Sequence, residues 1–330
     1  MRVRSALQGA VSVLGVVALL SGAGAASAQS SAGGEQFDPV AVVDGIVIDR
    51  TTCADLERRE TAVWVEVDGL GACLRYYAAG LAPAPGPNRV VAAWINGDVL
   101  GPKGNNADKR QKGLGPAAMI EQERRLSRRF GVPFVFLGRP GTYGSAGKHH
   151  TMRGRPLEAR LVDAELDALK ARYGIQSWSL GGHSGGGTLV AELLARRSDI
   201  RCAAISSGAS AYRAYLEARG LIERGEKLAR FDPFTSLDQV PTDAARRIFV
   251  IGDPRESNVP FSALALYFDG LRARGHAAWL VPLERATDPR HHDLVDFGEV
   301  ATGLCAAGAS TDEIVRTLDA MPDQRPRQTN

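Results

Sequence analysis

From Asn88 onward, short apolar runs alternate with longer segments whose apolar residues recur every three or four positions. The runs Arg89 to Ile95, Val132 to Leu137, Gln176 to Leu180, Cys202 to Ser206, Arg247 to Ile251 and Ala277 to Val281 are short, apolar and rich in β-branched residues, so they predict buried strands. Pro156 to Tyr173 carries Val162, Leu166, Leu169 and Tyr173 at helical spacing with charges between them, and predicts an amphipathic helix. Helices are also expected over Gly187 to Arg197, Phe261 to Arg274 and Thr311 to Met321, the last capped by Ser310 or Thr311. Buried strands alternating with helices imply a mostly parallel sheet covered on both faces, an α/β fold.

Before Asn88 the pattern differs. Gly45 to Ile48, Val63 to Val67 and Cys73 to Tyr77 are short alternating or β-branched runs, which read as an antiparallel opening. Ala82 to Asn88 is a Pro/Gly break between the two regimes. Ser207 to Asp243 is longer than an ordinary crossover and is either a small lid or a helical excursion. No internal repeat is present.

At the start, Arg2 and Arg4 precede an apolar run from Val11 to Leu20, and Ala26-Ser27-Ala28 has the A-x-A form of a cleavage site. That run is about half of the roughly 20 residues a bilayer span needs, so residues 1–28 are expected to be a signal peptide rather than an anchor. Residues 29–36 then form a small, polar leader, 37–321 one α/β domain with 207–243 as the candidate lid, and 322–330 a polar tail. The expected location is periplasmic or secreted, with no stable membrane anchor after cleavage.

Loss of Arg2 and Arg4 takes the formal charge from +3 to +1. A near-neutral balance with scattered basic residues excludes a nucleic-acid footprint. The four cysteines, Cys53, Cys73, Cys202 and Cys305, allow three pairings, and an oxidising compartment favours bonded over free thiols. Cys53 and Cys73 flank what reads as one antiparallel unit, while Cys202 opens a strand and Cys305 lies late in the core. The expected bridges are therefore Cys53–Cys73 and Cys202–Cys305.

Candidate chemistry centres on Gly182-His183-Ser184-Gly185-Gly186, directly after a predicted strand and before a predicted helix. A sharp strand-to-helix turn exposes a serine Oγ and leaves backbone N–H groups to hold an oxyanion. The nucleophile needs a base, and the base an orienting acid. Gly252-Asp253-Pro254-Arg255-Glu256-Ser257-Asn258-Val259 follows a later strand, and Asp288-Pro289-Arg290-His291-His292-Asp293-Leu294 follows the last one. Serine, acid and histidine thus come in the chain order of this architecture.

On these residues the chain resembles the α/β-hydrolases, in the branch similar to prolyl oligopeptidase-like and dienelactone hydrolase-like enzymes, over roughly Asn88 to Asp319. The resemblance implies a Ser-acid-His triad cleaving a carboxylic ester or a small peptide through an acyl-enzyme. It places the acid three residues before a Val that opens the next helix, here Glu256, where aspartate is the commoner occupant; Asp253 at the strand tip is the second candidate. His292-Asp293-Leu294 resembles the family's His-Gly-hydrophobic ending, so His292 is the first candidate base and His291 the second. The oxyanion hole would use the N–H of Gly185 and one from Gly97 or Asp98 in Asn96-Gly97-Asp98, where the family commonly has His-Gly. Arg139 to Ser145 resembles the Arg-Gly loop of the fold and is expected to shape the pocket floor, with Tyr143 packed in it.

Other readings fit less well. His183 is a supporting residue rather than the base. The pairs His149-His150 and His291-His292 lack zinc-site spacing, so neither metal nor cofactor is expected. Gly181 to Gly187 matches neither G-x-x-x-x-G-K-S/T nor G-x-G-x-x-G, which argues against a phosphate cradle. A non-catalytic binding protein on this fold usually lacks a triad member, and none is missing here. An esterase stands first and a peptidase second, because the chain before Ala79 is too short for a propeller-like gate.

Overall fold

The computed structural model describes residues 34–83, 86, 88–100, 111–222 and 230–325. The expected signal peptide, most of the polar leader and the end of the tail lie outside the described residues. Eight strands form one sheet: β1 (Ala62–Val67), β2 (Leu70–Ala79), β3 (Asn88–Ile95), β4 (Phe134–Leu137), β5 (Ile175–His183), β6 (Ile200–Ser206), β7 (Arg247–Gly252) and β8 (Ala278–Pro282). Their spatial order is β1-β2-β4-β3-β5-β6-β7-β8. β1 and β2 pair antiparallel, as do β2 and β4, and every later pair is parallel. Asp68 and Gly69 turn β1 into β2 with φ of 52° and 76°, as a two-residue hairpin with matching twist requires.

Alternation along β3 separates the two layers. Val91, Ala93 and Ile95 join the core beneath α5 (Pro156–Tyr173), α6 (Gly185–Leu194) and α8 (Phe261–Ala273). Ala92 and Trp94 face α3 (Pro116–Phe130), and on the same side Ala204, Phe249 and Ile251 pack on α9 (Val295–Ala306) and α10 (Thr311–Ala320). Both faces of the sheet are therefore dry, which is why its strands read as near-continuous apolar runs.

The antiparallel opening differs from expectation at one place. Gly45 to Ile48 is not a strand: Ile46 makes a single bridge to Gly147, between α1 (Ala41–Asp44) and α2 (Arg50–Arg58). Asp49 caps α2 through its side chain, which accepts from the Thr52 N–H at 2.7 Å, and this local bond wins over strand propensity. Cys53 accordingly sits on a helix and not at the edge of a hairpin, and it bonds to Cys73 on β2; the second disulfide joins Cys202 of β6 to Cys305 of α9. In the 207–243 segment, α7 (Tyr212–Ala218) and a 3₁₀ helix (Pro233–Gln239) pack against α8, and residues 223–229 lie outside the described residues.

Candidate active site

β5 is central in the sheet, and its C-terminal end delivers Ser184 into the turn before α6. Ser184 has φ 54° and ψ −122°, a strained conformation for a residue with a side chain. Two backbone bonds hold it: its N–H donates to the Ser206 carbonyl at 2.8 Å, and its carbonyl accepts from the Thr188 N–H at 2.9 Å. The flanking glycines are steric necessities. A Cβ on Gly182 would lie 2.6 Å from the Gly186 backbone, and one on Gly186 would lie 2.2 Å from the Ile95 carbonyl oxygen.

Two further loops leave the same edge of the sheet. After β7, Glu256 turns inward and its Oε1 accepts from the Val259 N–H at 2.8 Å and from His292 Nδ1. After β8, the His292 N–H donates to Asp288 Oδ1 at 2.7 Å, and its carbonyl accepts from His183 Nε2 at 2.9 Å. The two imidazole rings lie 4.8 Å apart between centroids. The acid and histidine loops are also tied by the Ser257 N–H, which donates to the Arg290 carbonyl at 3.0 Å. Burial pushes the Glu256 carboxyl up to about 9, against the opposing pull of the Val259 N–H and the nearby Ser207 hydroxyl.

The second candidates lie elsewhere. Burial would raise Asp253, but the bonds it accepts from the Arg255 guanidinium, at 2.9 and 2.7 Å, and from the Arg255 and Ala286 N–H groups hold it below its ordinary value. It is thus neutralised by Arg255 rather than directed at an imidazole. His291 adopts φ 51°, and its Nδ1 bonds the Ala286 carbonyl at 3.2 Å.

On the opposite side of the serine, the loop after β3 packs onto the turn, so that a Cβ on Gly97 would lie 3.0 Å from Ser184 Cβ. Asp98 directs its carboxylate into a buried cationic cluster, accepting from Arg139 Nη1 at 2.8 Å and from Arg153 Nη1 at 2.6 Å. Burial opposes ionisation there, but Arg139 and then Arg153 outweigh it and hold Asp98 well below the usual carboxylate range. Arg139 also donates to the Asn96 carbonyl at 3.3 Å and to Glu158 at 2.8 Å, which ties the loop to α5. Tyr143 packs edge-on against Phe136, and its hydroxyl accepts from Asn96 Nδ2 at 2.7 Å. His149 is fully buried 3.8 Å from Asp98, and burial with Arg139 keeps it neutral.

Sequence reasoning missed Ser207, Asp288 and the Arg139–Asp98–Arg153 cluster. Asp288 carried a signal: an aspartate opening a Pro-containing loop commonly accepts from N–H groups just downstream. The cluster had none, because Asp98 and Arg153 are 55 residues apart in the chain.

No family model and no curated protein matches the sequence. Solved structures do. An esterase from Pyrococcus furiosus aligns with a TM-score of 0.52 at 14% identity, over 79% of this chain and 94% of its own. An esterase from Butyrivibrio proteoclasticus bound to ferulic acid aligns with a TM-score of 0.47 at 17% identity, over 78% of this chain and 98% of its own. The acylaminoacyl peptidase of Pyrococcus horikoshii aligns with a TM-score of 0.49 at 11% identity, over 72% of this chain, which spans only 38% of that enzyme. The order of the sheet, the strained serine turn after its central strand and the match to the Pyrococcus furiosus esterase together identify the chain as having the α/β-hydrolase fold.

Proposed function

We propose that this chain is an exported serine hydrolase that cleaves a carboxylic ester through an acyl-enzyme. One observation carries the reading: the His292–Glu256 pair stands in the loops after β7 and β8, on the strand ends that also present Ser184. In this mechanism Ser184 Oγ attacks the ester carbonyl and passes its proton to His292 Nε2. Glu256, bonded to Nδ1, fixes the tautomer and stabilises the imidazolium that forms. The N–H of Gly185 and one from Gly97 or Asp98 stabilise the oxyanion of the tetrahedral intermediate. The imidazolium then protonates the departing alcohol, and water repeats the sequence to release the acid.

Export is supported by the signal-type N-terminus and by the two disulfides, which suit an oxidising compartment. Residues 37–321 are taken as the single catalytic domain. A panel of p-nitrophenyl esters beside aminoacyl amides is the direct test. Wild type is expected to turn over esters and to be labelled by a fluorophosphonate, and Ser184→Ala to lose both. Full activity in Ser184→Ala would end the proposal, and faster amide than ester turnover would replace esterase by peptidase. Glu256→Gln should lower kcat by about 10³–10⁴, while Asp253→Asn leaves the chemistry largely intact in a folded protein.

A further inference from the structure

At the edge of the sheet opposite Ser184, a cleft of about 270 Å³ opens at the start of β3, β5, β6 and β7. Seven residues of β5 lie between Gln176 in its wall and Ser184, about 26 Å of extended chain. Among the described residues, three arginines line it, Arg89, Arg201 and Arg247, and no carboxylate does. Each charge has an identifiable status. Arg247 donates from Nη1 to the Ala309 carbonyl at 2.6 Å, beyond the end of α9. Arg89 and Arg201 form no side-chain bond or ion pair among the described residues.

The charges are not balanced within the fold. The C-terminus of α9 contributes about half a negative charge, against three guanidiniums. Burial lowers the pKa of Arg247, and the positive charge of Arg201 lowers it further, with no acid opposing either effect. Elsewhere on this protein buried arginines are met by carboxylates or by several carbonyls: Arg139 by Asp98 and Glu158, Arg197 by Asp163, Asp167 and Asp199, and Arg246 by the Ile200, Pro241 and Arg197 carbonyls. The cleft is therefore a concave surface that gathers three guanidiniums, Arg247 half-buried and Arg89 and Arg201 open to solvent, with free N–H donors to offer an anion.

We propose that this cleft binds a small oxyanion carrying two or more negative charges, at a site separate from the hydrolytic centre. Guanidinium forks match the planar pairs of oxygens on phosphoryl and carboxylate groups, and two adjacent forks favour a polyanion over a single charge. Gln176 and Ser177 supply neutral polar groups to the same wall. The site requires no turnover, so it stands or falls independently of the esterase reading.

Isothermal titration of the mature protein at low salt, with pyrophosphate, inorganic phosphate and citrate as separate probes, tests it. Saturable one-to-one binding of at least one probe is expected, weakening as salt is raised. Arg201→Gln and Arg89→Gln remove guanidiniums that hold no structural bond, and each should weaken binding about tenfold. Arg213→Gln, on the surface of α7, should bind as wild type does. The proposal is overturned if no probe binds saturably, if both cleft variants bind like wild type, or if Arg213→Gln weakens binding equally. Which probe binds tightest separates a phosphoryl from a polycarboxylate ligand.

Discussion

In the proposed triad, one buried side chain, Glu256, would set the working range of the whole site. Its carboxyl lies almost wholly out of water, and burial pushes it up to about 9. Ionised, it holds the hydrogen of His292 on Nδ1 and leaves proton acceptance to Nε2. Protonated, it would itself donate to Nδ1 and shift the ring hydrogen to Nε2, which is the wrong tautomer for a base. Activity should therefore fall as pH drops through the apparent pKa of the pair, which belongs to both groups together. The expected result is a kcat/KM for ester hydrolysis that climbs between pH 7 and 9, read from a pH–rate profile. A level profile over that range would show that the carboxyl stays ionised at neutrality. At this scale the candidates Ser184, Glu256 and His292 could be proposed from the sequence because each follows a recognisable strand end. Their second candidates, Asp253 and His291, were separable only by their neighbours Arg255 and Ala286.

Among the elements, α5 matched its sequence pattern from Pro156 to Tyr173, because an amphipathic stripe of Val162, Leu166 and Leu169 meets the sheet. The same helix buries Glu165, whose two carboxylate oxygens have no hydrogen-bond partner among the described residues and whose pKa burial raises well above its ordinary value. A carboxyl raised in the folded state contributes stability that is complete below about 4.5, its unfolded value, and is lost as pH rises toward the folded one. Glu165→Gln should therefore gain little at pH 4 and about 1–3 kcal/mol at pH 8, seen as a pH-dependent difference in urea midpoint. An equal gain at both values would mean that ionisation is not the cost. α9 was not legible in the same way: it is buried nearly all round, so it has no polar face to mark a period. α2 was obscured for the opposite reason. Cys53 is its one buried residue, too little to form a stripe, and only the Asp49 cap signals its start.

For the molecule as a whole, the two disulfides constrain very different lengths of chain. Cys53–Cys73 closes 20 residues between α2 and β2, whereas Cys202–Cys305 closes 103 and ties β6 to α9. In the loop-entropy model they contribute about 3 and about 4.7 kcal/mol respectively. Replacing both cysteines of the longer bridge by alanine should lower stability by more than the same change at the shorter one, measured by denaturant unfolding. The reverse order would place the cost in native packing instead. The sequence by itself determined the alternation of strands and helices and the chain order of the candidate serine, acid and histidine, and it favoured one of three cysteine pairings that the structure then fixed. These follow from local periodicity and from residues that sit next to strand ends. Only the tertiary structure decided which carboxylate meets an imidazole, how Asp98 is neutralised and where three arginines share a cleft without an acid. Each of those depends on groups distant in the chain that burial brings within a few ångströms, where desolvation and charge act and sequence spacing carries no trace of them.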